Sequence, residues 1–62
     1  MEVKELTEEE KQQAENFKME GNGHMKKQDY NEAIASYNKA IAIDPNKAVY
    51  YCNRFLILLY SN

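Results

Sequence analysis

One histidine, one cysteine and the hydroxyls of Thr7, Ser36 and Ser61 are the side chains of this 62-residue sequence with the types used for ligation or nucleophilic attack. A nucleophilic hydroxyl needs a base within hydrogen-bond reach. None of the three has a histidine or an acid at a suggestive spacing. His24 would need further metal ligands three or four residues away on a helix, where Glu20, Gly21, Lys27 and Gln28 stand. Only Glu20 could ligate, and two ligands do not make a metal site. His24 is therefore read as a partly packed side chain and Cys52, among tyrosines, as a small packing residue. Gly21-Asn22-Gly23 lacks the preceding strand and the third glycine of a phosphate loop. No enzyme, cofactor or metal chemistry is expected.

The elements that would position these residues read as helix almost throughout. Thr7 followed by Glu10 fits a capping box, and Glu8 and Glu9 suit the positive end of a helix. That helix should run to about Lys27, with Ala14, Phe17, Met19, Gly21 and Met25 supplying an interrupted inner face. Each of the two glycines weakens it by about 1 kcal/mol relative to alanine, so room for a close neighbour is the reason to look for. Gln28-Asp29 is a break, with Asp29 and Glu32 as a second capping box. Tyr30, Ala33, Ile34, Tyr37, Ala40 and Ile41 then recur at spacings of three and four, which is an amphipathic helix. Pro45 disfavours helical geometry in Asp44 and ends it. A third helix should cover about Lys47 to Tyr60. Such short breaks imply antiparallel packing. The expected fold is all-α, a helical hairpin plus one further helix, with residues 1–6 frayed.

Composition narrows the class. A chain of this length has a marginal core, and one cysteine cannot form an internal disulfide, so regular helix packing or another chain must supply stability. The first twenty residues carry seven glutamates against three lysines, and the remainder is slightly basic, for a net charge of −2. That balance lacks the concentrated basic surface of a nucleic-acid binder. The apolar run Phe55 to Tyr60 is far short of the roughly 20 residues that span a bilayer, and the acidic start is unlike a signal peptide. A cytoplasmic protein with no nucleic-acid or membrane partner is expected.

Phe17, Gly21, His24, Ala33, Tyr37, Ala40 and Pro45 fall at the spacings of a tetratricopeptide motif, whose period is about 34 residues. Gly21 and Ala33 would be small where two helices cross, with Phe17 and Tyr37 filling the space on either side. One period after Phe17 stands Tyr51, so residues 7–45 read as one motif and residues 46–62 as the first helix of a second, incomplete one. Glu20 and His24 depart from the motif's leucine and tyrosine. Lys18-Met19-Glu20-Gly21-Asn22, Asp29-Tyr30-Asn31-Glu32-Ala33, Ala40 to Pro45 and Ala48 to Arg54 together resemble the first repeat of co-chaperone tetratricopeptide domains. The likeness covers about residues 10–54.

That resemblance implies a carboxylate clamp for the acidic C-terminal tails of heat-shock chaperones, with Lys18, Asn22 and Asn53 at the matching positions. Lys18 and Asn22 are four apart and share a helical face. An ammonium and two amides can donate hydrogen bonds to a terminal carboxylate, the ammonium's being charge-assisted. The family clamp also uses a lysine and an arginine from a third repeat, so half of it is expected here. Phe55 stands one period after Gly21, where a small residue would admit the next helix, and a truncated product is the corresponding expectation. Val49, Tyr50, Phe55, Leu56, Leu58, Leu59 and Tyr60 make the third helix apolar nearly all round. Self-association or docking through Phe55, Leu56, Leu58 and Leu59, with no peptide binding of its own, is the alternative function.

Overall fold

The computed structural model describes residues 5–60, and they form three helices: α1 (Glu8–Lys26), α2 (Tyr30–Ile43) and α3 (Ala48–Tyr60). The expectation of fraying falls mainly on residues 1–4, which lie outside the described residues; Glu5 and Leu6 precede α1 without regular structure. The Thr7 cap forms as expected. Its hydroxyl accepts from the Glu10 backbone N–H at 3.1 Å, and the Glu10 carboxylate accepts the Thr7 N–H at 3.0 Å. Two of the N–H groups that every helix start leaves orphaned are thereby satisfied.

The end of α1 is built differently from the sequence-based expectation. Gln28 takes a left-handed φ of 63°. The Gln28 N–H donates to the Met25 carbonyl at 3.0 Å, and the Asp29 N–H to the His24 carbonyl at 2.9 Å. This pair of bonds is a Schellman closure, with glutamine where glycine usually sits. Asp29 makes no side-chain capping bond, so the second capping box does not form. The Asp29 N–H and φ are already committed to ending α1, and only its carbonyl serves α2, accepting from Ala33 at 2.9 Å. Ahead of Pro45, Asp44 sits at φ −129° and ψ 81°, outside helical geometry, as the residue before a proline should.

α2 packs against both other helices. The residue pairings run in opposite senses at each contact. Gly21 meets Tyr37 while Phe17 meets Lys39, and Asn38 meets Arg54 while Ala40 clusters with Tyr50. Successive helices are therefore antiparallel and α1 runs parallel to α3. Two buried clusters fill the interior, Ala14, Ala40 and Tyr50 in one and Ala33, Tyr37 and Ile57 in the other. Each takes one side chain from α3, and Tyr50 and Ile57 lie two turns apart on one stripe. No helix among the described residues is long and apolar enough to cross a membrane.

Several burial expectations are corrected. Met19 is 57% exposed, because it lies two residues from both Phe17 and Gly21 and so points off the inner face. Cys52 is exposed rather than packed, since it falls between the inward positions of α3. Of the residues that make α3 apolar nearly all round, Tyr50 is the one buried, at 1%, and Ile57 is the residue that joins it inside.

Gly21 makes room for a ring rather than for a backbone. A Cβ placed there would lie 2.9–3.1 Å from three ring atoms of Tyr37, whereas one at Gly23 would meet nothing within 4 Å. Gly23→Ala is expected to stabilise the chain by about 1 kcal/mol through helix propensity. Gly21→Ala gains the same propensity but overpacks a buried ring, typically a cost of about 1–3 kcal/mol, and is expected to lower stability on balance. Urea melts of the two variants check the opposite signs.

Candidate functional site

The three residues proposed for carboxylate binding come from the parallel pair α1 and α3. α1 carries Lys18 and Asn22 one turn apart, and α3 carries Asn53. Tyr37 of α2 is the hub that brings two of them together. Its hydroxyl donates to Asn22 Oδ1, and Asn53 lines the same pocket beside that phenol. Burial pushes the Tyr37 phenol above its ordinary range while the Asn53 contact pulls the other way, so the hydroxyl remains a neutral donor at ordinary pH. With its oxygen engaged, the Asn22 amide is fixed in orientation and its N–H2 group is left to donate elsewhere.

These groups open onto a shallow pocket of about 140 Å³ lined by Asn22, Met25, Tyr37, Asn53, Leu56 and Tyr60, with Ile57 at its base. The lining is mostly apolar, with the amides of Asn22 and Asn53 and the Tyr37 hydroxyl as its polar groups. Leu56, assigned from sequence to an association surface, thus also borders this pocket, whereas Phe55, Leu58 and Leu59 do not.

Lys18 is not among the lining residues. Its ammonium is paired with Glu15 Oε1 at 2.5 Å. Glu15 Oε2 in turn accepts from the buried Tyr50 hydroxyl at 3.2 Å, which ties α1 to α3. The Lys18 hydrogen bond is the main cause holding the Glu15 carboxyl below its ordinary range, against a smaller opposing effect of burial. Tyr50 is pushed up to about 12, first by burial and then by the Glu15 carboxylate beside it. Below about pH 10 both folded and unfolded chains keep the Tyr50 proton, so it adds no pH dependence. From about 10 to about 12 the unfolded chain releases that proton while the folded chain retains it, and stability must fall as pH rises. Denaturant melts across this window should show that slope in the wild type and less of it in Tyr50→Phe.

Arg54, beside Asn53, is directed away from the pocket. It donates to Asn38 Oδ1 at 2.9 Å and lies over the Tyr51 ring. The buried His24 Nδ1 has no hydrogen-bond partner among the described residues. Sequence reasoning named Lys18, Asn22 and Asn53 but not Glu15 or the hydroxyl role of Tyr37. The spacing of Glu15 three residues before Lys18 was a usable signal for the first. No local pattern signals the second, which depends on packing between helices.

Phe55, Leu56, Leu58 and Leu59 are 60%, 44%, 46% and 57% exposed, with Val49, Tyr51 and Tyr60 exposed as well. The sequence-assigned association residues are therefore solvent-facing, and they spread around α3 from the pocket edge at Leu56 to the opposite flank at Leu58.

A family model described as TPR repeat matches residues 21–57. The small glutamine-rich tetratricopeptide repeat-containing protein beta of Rattus norvegicus is 56% identical over 41 residues, covering 66% of this chain and 14% of its own length. DnaJ homolog subfamily C member 7 of Mus musculus is 51% identical over 49 residues, 79% of this chain and 10% of that protein. The human small glutamine-rich tetratricopeptide repeat-containing protein alpha is 46% identical over 48 residues, 77% of this chain and 15% of its own length. The chain therefore spans about one seventh of these curated relatives or less. No solved structure matches it.

Proposed function

The chain belongs to the tetratricopeptide repeat family, and from that premise we propose that it is a protein-interaction module that takes the free carboxylate end of an acidic peptide, of the kind heat-shock chaperones carry. On this reading residues 7–45 are one motif, residues 46–62 open the next, and the module works in the cytoplasm, where the exposed Cys52 stays a thiol. The observation that carries the reading is that the Tyr37 hydroxyl fixes the Asn22 amide at a pocket that Asn53 also lines. Two amides on neighbouring helices can bracket a carboxylate, and Lys18, one turn before Asn22, supplies the charge. The adjoining apolar wall offers contact to the last side chain of the peptide. With only three donors, binding is weak and salt-sensitive. Lys18→Ala and Asn53→Ala should each cost about 1.5–3 kcal/mol of binding, read by peptide titration at low salt. Binding unchanged in both variants would contradict the assignment.

The exposed apolar surface of α3 favours a second reading, pairing with a second copy of this chain. Its seven exposed apolar side chains present roughly 600 Å² at about 180 Å² for a large side chain. A standard interface needs about 800 Å² per partner. Within α3 the one charged side chain is Arg54, which is hydrogen-bonded to Asn38 of α2 and lies over the Tyr51 ring at the edge of this surface. Sedimentation should show mass rising with concentration in the wild type and a monomer in Leu59→Glu. A wild-type monomer at high concentration would end this reading.

A further inference from the structure

We propose that Glu15 is an internal competitor that holds Lys18 off the peptide site, so that a ligand carboxylate binds by exchanging with it on the lysine ammonium. The inference rests on the carboxylate-binding reading and adds a residue that sets its affinity.

Position along the helix gives the switch its geometry. Glu15 lies three residues before Lys18 and Asn22 four residues after it, so the lysine stands between its present partner and the pocket rim. In the structure it is turned back to Glu15, at 2.5 Å. A flexible four-carbon stem lets the ammonium swing from one side to the other. Glu15 cannot follow it, because its second oxygen is tethered to the hydroxyl of Tyr50, a side chain that is 1% exposed. The carboxylate is therefore a fixed counter-charge next to the site. It neutralises the lysine ammonium that the site would offer and repels the ligand's own negative end. The two side chains are 24% and 39% exposed, open enough for exchange with a ligand from solution.

Glu15→Gln tests this, since the amide oxygen can still accept from Tyr50 while the charge is gone. A short acidic peptide with a free C-terminus is titrated into wild type, Glu15→Gln, Lys18→Ala and the double variant at low salt. The expected result is binding about three- to tenfold tighter in Glu15→Gln, with no such gain when Lys18 is already alanine. The Lys18 ammonium resonance should also shift on peptide addition in the wild type and on Glu15→Gln alone. Measurable wild-type binding that Glu15→Gln leaves equal or weakens would overturn the competitor role and leave the carboxylate reading standing. A gain that persists without Lys18 would overturn it as well, because removal of general negative charge would explain it. Binding by none of the four would overturn the carboxylate reading and this inference with it.

Discussion

Tyr37→Ala is expected to unfold the chain at room temperature. Truncating a buried aromatic typically costs about 3–5 kcal/mol. A domain of this size has only about 3–9 kcal/mol of stability in total, taking 0.05–0.15 kcal/mol per residue. Tyr37 is the side chain that all three helices share. Its ring fills the space Gly21 leaves on α1, it belongs to the buried cluster with Ala33 and Ile57, and its hydroxyl satisfies Asn22 at a pocket that Asn53 also lines. Gly21 and Ala33, two of its neighbours, have no side-chain reach with which to fill the gap. Tyr37→Phe keeps the ring and loses only the hydroxyl, so a cost of about 1 kcal/mol is expected, together with a freely turning Asn22 amide. Far-ultraviolet circular dichroism during a thermal melt separates the two. A Tyr37→Ala melt within about 1 kcal/mol of wild type would show that the hub is not one.

Ile57→Ala should release α3 while leaving the hairpin of α1 and α2 in place. Ile57 is completely buried and, with Tyr50, is one of two α3 side chains in the core clusters. Removing three of its carbons should cost about 2–5 kcal/mol, and Ile57→Val about 0.5–1.5 kcal/mol. The loss is local because α3 contributes one side chain to each cluster, and Tyr50 alone would then hold it. Hydrogen exchange read residue by residue should therefore show α3 amides losing protection before those of α1 and α2. Uniform loss across all three helices would mean that the chain unfolds only as a whole. Release of α3 would also carry Asn53 away from Asn22, so peptide binding should disappear in Ile57→Ala while α1 remains helical.

Much of this architecture can be read in the residue order. Thr7 and Glu10 mark the start of α1, Pro45 marks the end of α2, and the three- and four-residue spacing from Tyr30 to Ile41 marks its buried face. These signals are local, depending on hydrogen bonds and sterics within one turn. What escaped prediction was decided between helices or by competition for one backbone group. Asp29 looks like a cap, yet its N–H already closes α1 through the left-handed Gln28. Ile57 looks like its apolar neighbours in a run where every residue could face inward. Only the two-turn match with Tyr50 selects it. The site shows the same division. Lys18, Asn22 and Asn53 follow from a resemblance carried by short motifs, and Glu15 from its spacing to Lys18, while the Tyr37 hydroxyl that orients the Asn22 amide emerges only once α2 packs on α1.

The most direct measurement is a titration with one short acidic peptide in two forms, a free C-terminal carboxylate and its amidated twin. Binding of the free acid and not of the amide is the expected result, because the amides and the Lys18 ammonium donate to a terminal carboxylate and the amidated end carries no charge. Failure of both forms to bind at millimolar peptide, or equal binding of the two, would contradict the account and leave pairing through α3 as the function of this chain.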